Sequence, residues 1–135
     1  MFLMELNEKE KELFWKLAVN LVMADGVISE AEVDLLGQYQ KEMGTDFELE
    51  TEGAPSADEL SKEIAACESR IKRVIYFELL GLAYSDNDFA KEEQEMLDVY
   101  AKATSISDNG CKKMKECINE IYEVYSKLAV VINGN

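Results

Sequence analysis

The sequence predicts an all-α fold: a bundle of about six helices containing two pseudo-repeated helix–acidic turn–helix units. Three observations lead there. Apolar residues recur at spacings of three and four along most of the chain. A single proline, Pro55, and seven glycines interrupt 135 residues, too few for many strands and tight turns. And the stretch around Asp25 recurs, 61 residues later, around Asp86.

The elements follow in order. Asn7 with Glu10 three residues on is a capping-box-like start, and Leu13, Phe14, Leu17, Ala18, Leu21 and Val22 then recur at helical spacing. Asp25 and Gly26 stop this helix. Ser29 with Glu32 is a full S-x-x-E box, and Val33, Leu36, Tyr39 or Gln40, and Met43 read as the inner face of a second helix that Gly44 ends. Residues 45–55 form an acidic linker closed by Pro55. Phe47 and Leu49 alternate with acids there, which allows a short extended piece, but a loop fits better and should be mobile relative to the helices. Ser56 and Glu59 open a short helix to about Cys67. From about Ser69 to Tyr84 the chain is so apolar (Ile71, Val74, Ile75, Phe77, Leu79, Leu82, Ala83) that this helix should be central. Met96, Leu97, Tyr100 and Ala103 mark a fifth helix.

The last helix runs from about Asp108 to Ile132. Cys111, Met114, Ile118, Ile121, Tyr125, Leu128 and Ile132 alternate by three and four like a heptad stripe. Cys117, Val124 and Val131 widen it beyond a two-stranded seam. Two readings stay open: a core helix packed across the domain, or a stripe shared with a second subunit as a homodimer.

A chain of this length makes one domain, residues 1–135, able to bury roughly 68% of the surface of its unfolded form. Its first unit covers about 13–44, its second about 69–104. No run approaches the 18 apolar residues of a transmembrane helix, and the start lacks the basic and apolar regions of a signal peptide. Cys67, Cys111 and Cys117 are odd in number with no C-x-x-C spacing, and read as reduced, mostly buried thiols of a cytoplasmic protein. The net charge of −14 argues against nucleic acid as a partner. Half of it is local: residues 42–63 hold eight acids and one base, net −7. The small basic clusters (Arg70, Lys72, Arg73; Lys112, Lys113, Lys115) read as solvated helix faces. The chain has no histidine. That removes the serine and cysteine triads and the usual histidine zinc sites, and no enzyme is expected.

The two units share the pattern L-x-x-[AS]-D-[GN]-x-[IF]-x-x-x-E-x-x-x-L-x-x-Y, running from Leu21 to Tyr39 and from Leu82 to Tyr100. Asp accepts backbone N–H groups in the turn, and Gly or Asn tolerates positive φ. Ile28 or Phe89 should insert between the helices. Glu32 or Glu93 sits in a first helical turn, where the macrodipole favours an acid. On these residues, Ala24-Asp25-Gly26-Val27-Ile28 through Glu32 and Ser85-Asp86-Asn87-Asp88-Phe89 through Glu93, the chain resembles the TerB-like family over about residues 13–107. That family is named for the tellurite-resistance protein TerB and also occurs beside J-domains. The resemblance implies two helix pairs joined by acidic turns, divalent-cation binding and a place in stress-related assemblies.

The turn also looks like the second half of an EF-hand loop, but the first half is missing. Positions 1 and 3 hold Leu21 and Met23, and Leu82 and Tyr84 in the second copy. Starting at Asp86 puts Leu97 at position 12. Neither turn is an EF-hand. Asp25, the Val27 carbonyl, Ser29 and a bidentate Glu32 offer about five oxygens, against the 6–8 that calcium prefers. The second turn adds Asp86, Asp88 and Glu93. Pooled across the two units, these six residues could hold Ca²⁺, Mg²⁺ or Mn²⁺ weakly; alternatively they only cap helices and organise turns. The functional expectation is a non-enzymatic interaction module, open to modulation by a cation, with an unknown protein partner. A dedicated cation-binding protein comes second and a carboxylate metallohydrolase third.

Overall fold

The computed structural model describes residues 1–85 and 89–134. It is all-helical, with no strand among the described residues: α1 (Glu8–Val22), α2 (Glu30–Met43), α3 (Ala57–Ile64), α4 (Ser69–Ala83), α5 (Lys91–Ala103) and α6 (Asp108–Ile132), after a 3₁₀ turn at Leu3–Glu5.

Local chemistry accounts for the helix starts. Asn7 accepts the Glu10 amide at 2.9 Å while Glu10 accepts the Asn7 amide at 2.8 Å. Each bond satisfies a backbone donor that the first helical turn cannot. Ser29 and Glu32 do the same for α2 at 3.1 and 2.8 Å. Ser56 and Ser107 return only the hydroxyl half, accepting from Glu59 and Gly110. At the end of α2, Gly44 adopts φ 68°, and the Thr45 amide reaches back to the Gln40 carbonyl at 3.0 Å. A left-handed residue closes the helix there, and glycine takes that conformation without a Cβ penalty.

The expected centre of the bundle is α4. Ile71, Val74, Ile75, Tyr76, Leu79, Leu80, Leu82 and Ala83 are all buried, and α1, α2, α5 and α6 pack around them. Two tyrosines lock neighbours onto its backbone: Tyr39 of α2 donates to the Glu78 carbonyl at 2.8 Å, and Tyr100 of α5 to the Lys72 carbonyl at 2.7 Å. Burial pushes both phenols above their ordinary pKa, so the hydroxyls stay protonated donors. Trp15 is buried in α1, as its apolar bulk predicts, and so is Val19, because α1 has α4 on one side and α3 on another.

Three expectations change. Val33 is exposed, while Leu36, Tyr39 and Met43 are buried as expected on the inner face of α2; Glu32 takes the place of Val33, its capping carboxylate turned inward. The linker is a loop, but its first part is docked rather than loose. Phe47 stacks on Trp15 with ring centroids 6.0 Å apart, the Trp15 indole donates to the Glu48 carbonyl at 3.0 Å, and Gln40 bonds both the amide and the carbonyl of Phe47. The thiols are free, but Cys117 is exposed and Cys67 and Cys111 are only half-buried.

Candidate functional site

Ile28 and Phe89 are both half-buried and packed against the core. In the first turn Asp25 is exposed, and its Oδ1 accepts the Val27 amide at 3.0 Å, the short loop of an Asx turn. Gly26 follows at φ 81°. Ser29 and Glu32 spend an oxygen each on their capping box, and Glu32 is only 4% exposed. In the second unit Glu93 is 3% exposed and accepts the Ala90 amide at 3.1 Å; Ala90 has no hydroxyl to return the bond. Asp86 and Asp88 lie outside the described residues. Among the described residues, no group of three or more Asp, Glu or Cys side chains is gathered as an ion would require. The structure thus brings Ser29 and Glu32 together as a helix cap, and brings neither Asp25 nor Glu93 to them as a described ligand cluster.

The other candidate surface is on α6. Cys111, Met114 and Ile118 pack on the bundle, and Ile121 is half-buried. Tyr122 then donates to the Gly81 carbonyl at 3.3 Å, the last hydrogen bond from α6 to the body among the described residues. From there the helix leaves the bundle. Val124 is 59% exposed, Tyr125 56%, Leu128 49%, Val131 68% and Ile132 73%. The reading of α6 as a core helix therefore holds only for its first half.

At its root the stripe joins a groove of about 270 Å³ between α2, α4 and α6, with Leu35, Phe77, Ile118 and Ile121 on its apolar walls and the N-terminal amine of Met1, paired with Glu42 and Glu78, on another. The stripe is also electrically unlike the rest of the chain. Residues 121–134 contain one acid, Glu123, and one base, Lys127, so the net charge of −14 lies entirely before them. With Ile118, Tyr125 and Ile132 taken as one heptad position, Ile121 and Leu128 fill the second core position. Tyr122, Val124, Ala129 and Val131 fill the flanking ones, leaving Glu123 and Lys127 on the far side.

No helix is long and apolar enough to cross a membrane among the described residues. No family model, curated protein or solved structure matches the chain.

Proposed function

We propose that this chain is a non-enzymatic helical interaction module whose docking surface is the exposed apolar face of α6. One observation carries the reading: the heptad stripe continues for about four helical turns past the last residue that the bundle buries, Ile118. Contiguous apolar surface of this extent on a water-exposed helix marks an interaction site. The bundle then serves as a rigid base, with α4 at its centre and α6 anchored by Ile118. The three free thiols support a cytoplasmic setting for this module, and the TerB-like resemblance supports a stress-related one. Cation modulation at Asp25, Ser29, Glu32, Asp86, Asp88 and Glu93 is the second reading. The exposed Asp25 carboxylate favours it, and the internal use of Ser29 and Glu32 weighs against it.

The test is site-specific photocrosslinking in living cells with a benzophenone side chain at Leu128, and at the exposed Asp34 of α2 as control. Covalent protein adducts should form from position 128 and not from 34. Absence of adducts from 128 contradicts a docking role.

A further inference from the structure

Building on the reading of α6 as a docking face, we infer that its occupant is a second copy of this chain, with the two α6 helices antiparallel about a twofold axis near residues 123–124. Three independent features of the chain lead to this partner.

The first is helical stability. Residues 119–132 span roughly 21 Å, about four turns, and past Tyr125, which lines the groove, residues 126–132 are all exposed. Five of these fourteen residues are β-branched: Ile121, Val124, Val130, Val131 and Ile132. Such residues lose rotamer freedom in a helix, and isolated helices this short are marginal in water. The extension needs a surface to pack on.

Charge selects that surface. Two copies carrying −14 each repel wherever their bodies approach. Residues 121–134 are neutral, so this segment is where a copy can meet its twin without that cost. A basic partner would be drawn to the acidic body and would find no carboxylate within the stripe itself. The same argument sets the direction. Parallel helices would place the two bodies side by side. Antiparallel helices put the bodies at opposite ends of the paired segment, with the two Ile118 anchors about 15 Å apart along the axis.

The third feature is area. Tyr122, Val124, Tyr125, Leu128, Val131 and Ile132 leave on the order of 600 Å² accessible per copy, so complete closure by a twin buries up to about 1,200 Å², the lower bound for specific interfaces. The groove beside Leu35 and Ile121 adds to this. In the antiparallel heptad register Ile121 meets the twin's Tyr125, and the twin's Leu128 lies level with Ile118, whose small exposed edge is part of the groove wall. The twin's far end is thereby delivered to the groove at the root of α6. The apolar face spans four of seven heptad positions, and the second half of that width is what the groove covers.

Sedimentation equilibrium on the purified full chain should give a dimer at tens of micromolar. Leu128→Lys should be monomeric, with melting and helicity of the body retained because Leu128 is exposed and lies outside the buried core. A monomeric parent overturns the inference, and so does a dimer that Leu128→Lys leaves intact. Orientation is read by disulfide trapping in a Cys117→Ser background. Val124→Cys should link to itself and Ile132→Cys should not, while linkage at both positions means parallel helices and contradicts the geometry. The photocrosslinked adduct separates the two claims. An adduct of twice the chain mass supports a second copy. An adduct with a different protein keeps the docking face and refutes the twin.

Discussion

The indole of Trp15 donates to the carbonyl of Glu48 at 3.0 Å, tying the first helix to an acidic linker 33 residues away. Phe47, stacked on the same ring, completes a small cluster outside the main core. A half-buried aromatic of this kind is worth about 1–2 kcal/mol. Phe47→Ala should therefore lower stability by about that amount in a denaturant titration and shift the Trp15 emission to the red as water reaches the ring. Limited proteolysis of the parent should cut between Leu49 and Ala54, where the chain is exposed, and spare 45–48. Early cleavage at 45–48 would mean that the cluster does not form in solution.

The first acidic turn supports a charge-swap experiment. Asp25→Asn keeps the Asx turn, since the amide oxygen accepts the same backbone bond. Glu32→Gln keeps the acceptor of the capping box. On the structural reading, the double variant melts within a few degrees of the parent. Up to about 10 mM Ca²⁺ or Mn²⁺, well above the range of weak sites, then raises neither melting temperature. A metal-dependent rise in the parent that vanishes in the variant would establish the cation site instead. Glu32→Ala, which removes the acceptor altogether, should cost about 1 kcal/mol with or without metal.

Ser61 on α3 is fully buried, and its hydroxyl has no hydrogen-bond partner among the described residues. A buried hydroxyl without a partner retains its desolvation cost. Ser61→Ala should therefore raise stability, by about 1 kcal/mol, visible as a higher denaturant midpoint at unchanged slope. A loss of 1 kcal/mol or more would show that the hydroxyl is satisfied in solution.

Arg70 holds the N-terminal turn to α4 through two bonds to Glu5, at 2.6 and 2.8 Å, and lies 6.0 Å over the ring of Phe2. The bonded guanidinium pulls the Glu5 carboxyl below its ordinary value of 4.5. A carboxylate with a depressed folded pKa adds stability that is complete above its unfolded value and fades as pH falls through the folded one. Arg70→Met keeps the stem over Phe2 and removes the charge. The melting difference between parent and variant should be small but constant above about pH 5 and should shrink below it. A difference that grows on acidification would contradict the pairing.

The helices were legible because their signals are local. Asn7 with Glu10 and Ser29 with Glu32 act within four residues, and the apolar spacing of α4 and α6 marks their span directly. Val33 was misplaced because two overlapping three–four patterns run along α2, and only the inward turn of the Glu32 carboxylate selects between them. The docked Phe47 was hidden for a different reason: its partner, Trp15, is far away in sequence, and alternation with acids signals exposure. On α6 the stripe was plain, but periodicity reports only that a face is apolar. Where the bundle stops covering it, after Ile118, depends on how α4 meets α6, which no local pattern encodes. The acidic turns show the reverse. Their residue types suggest ligands, while the capping bonds that use the oxygens of Ser29 and Glu32 are equally readable from the spacing.

The account rests on α6 being completed by a twin, and amide hydrogen exchange tests that most directly. The full-length chain would be measured at about 1 µM and about 100 µM, concentrations bracketing the expected dissociation of an interface of this size. Amides of residues 122–132 should exchange slowly at the higher concentration and fast at the lower, while those of 74–83 in α4 stay slow at both. Exchange of 122–132 that is the same at both concentrations, whether fast or slow, would contradict closure of the α6 face by a second copy.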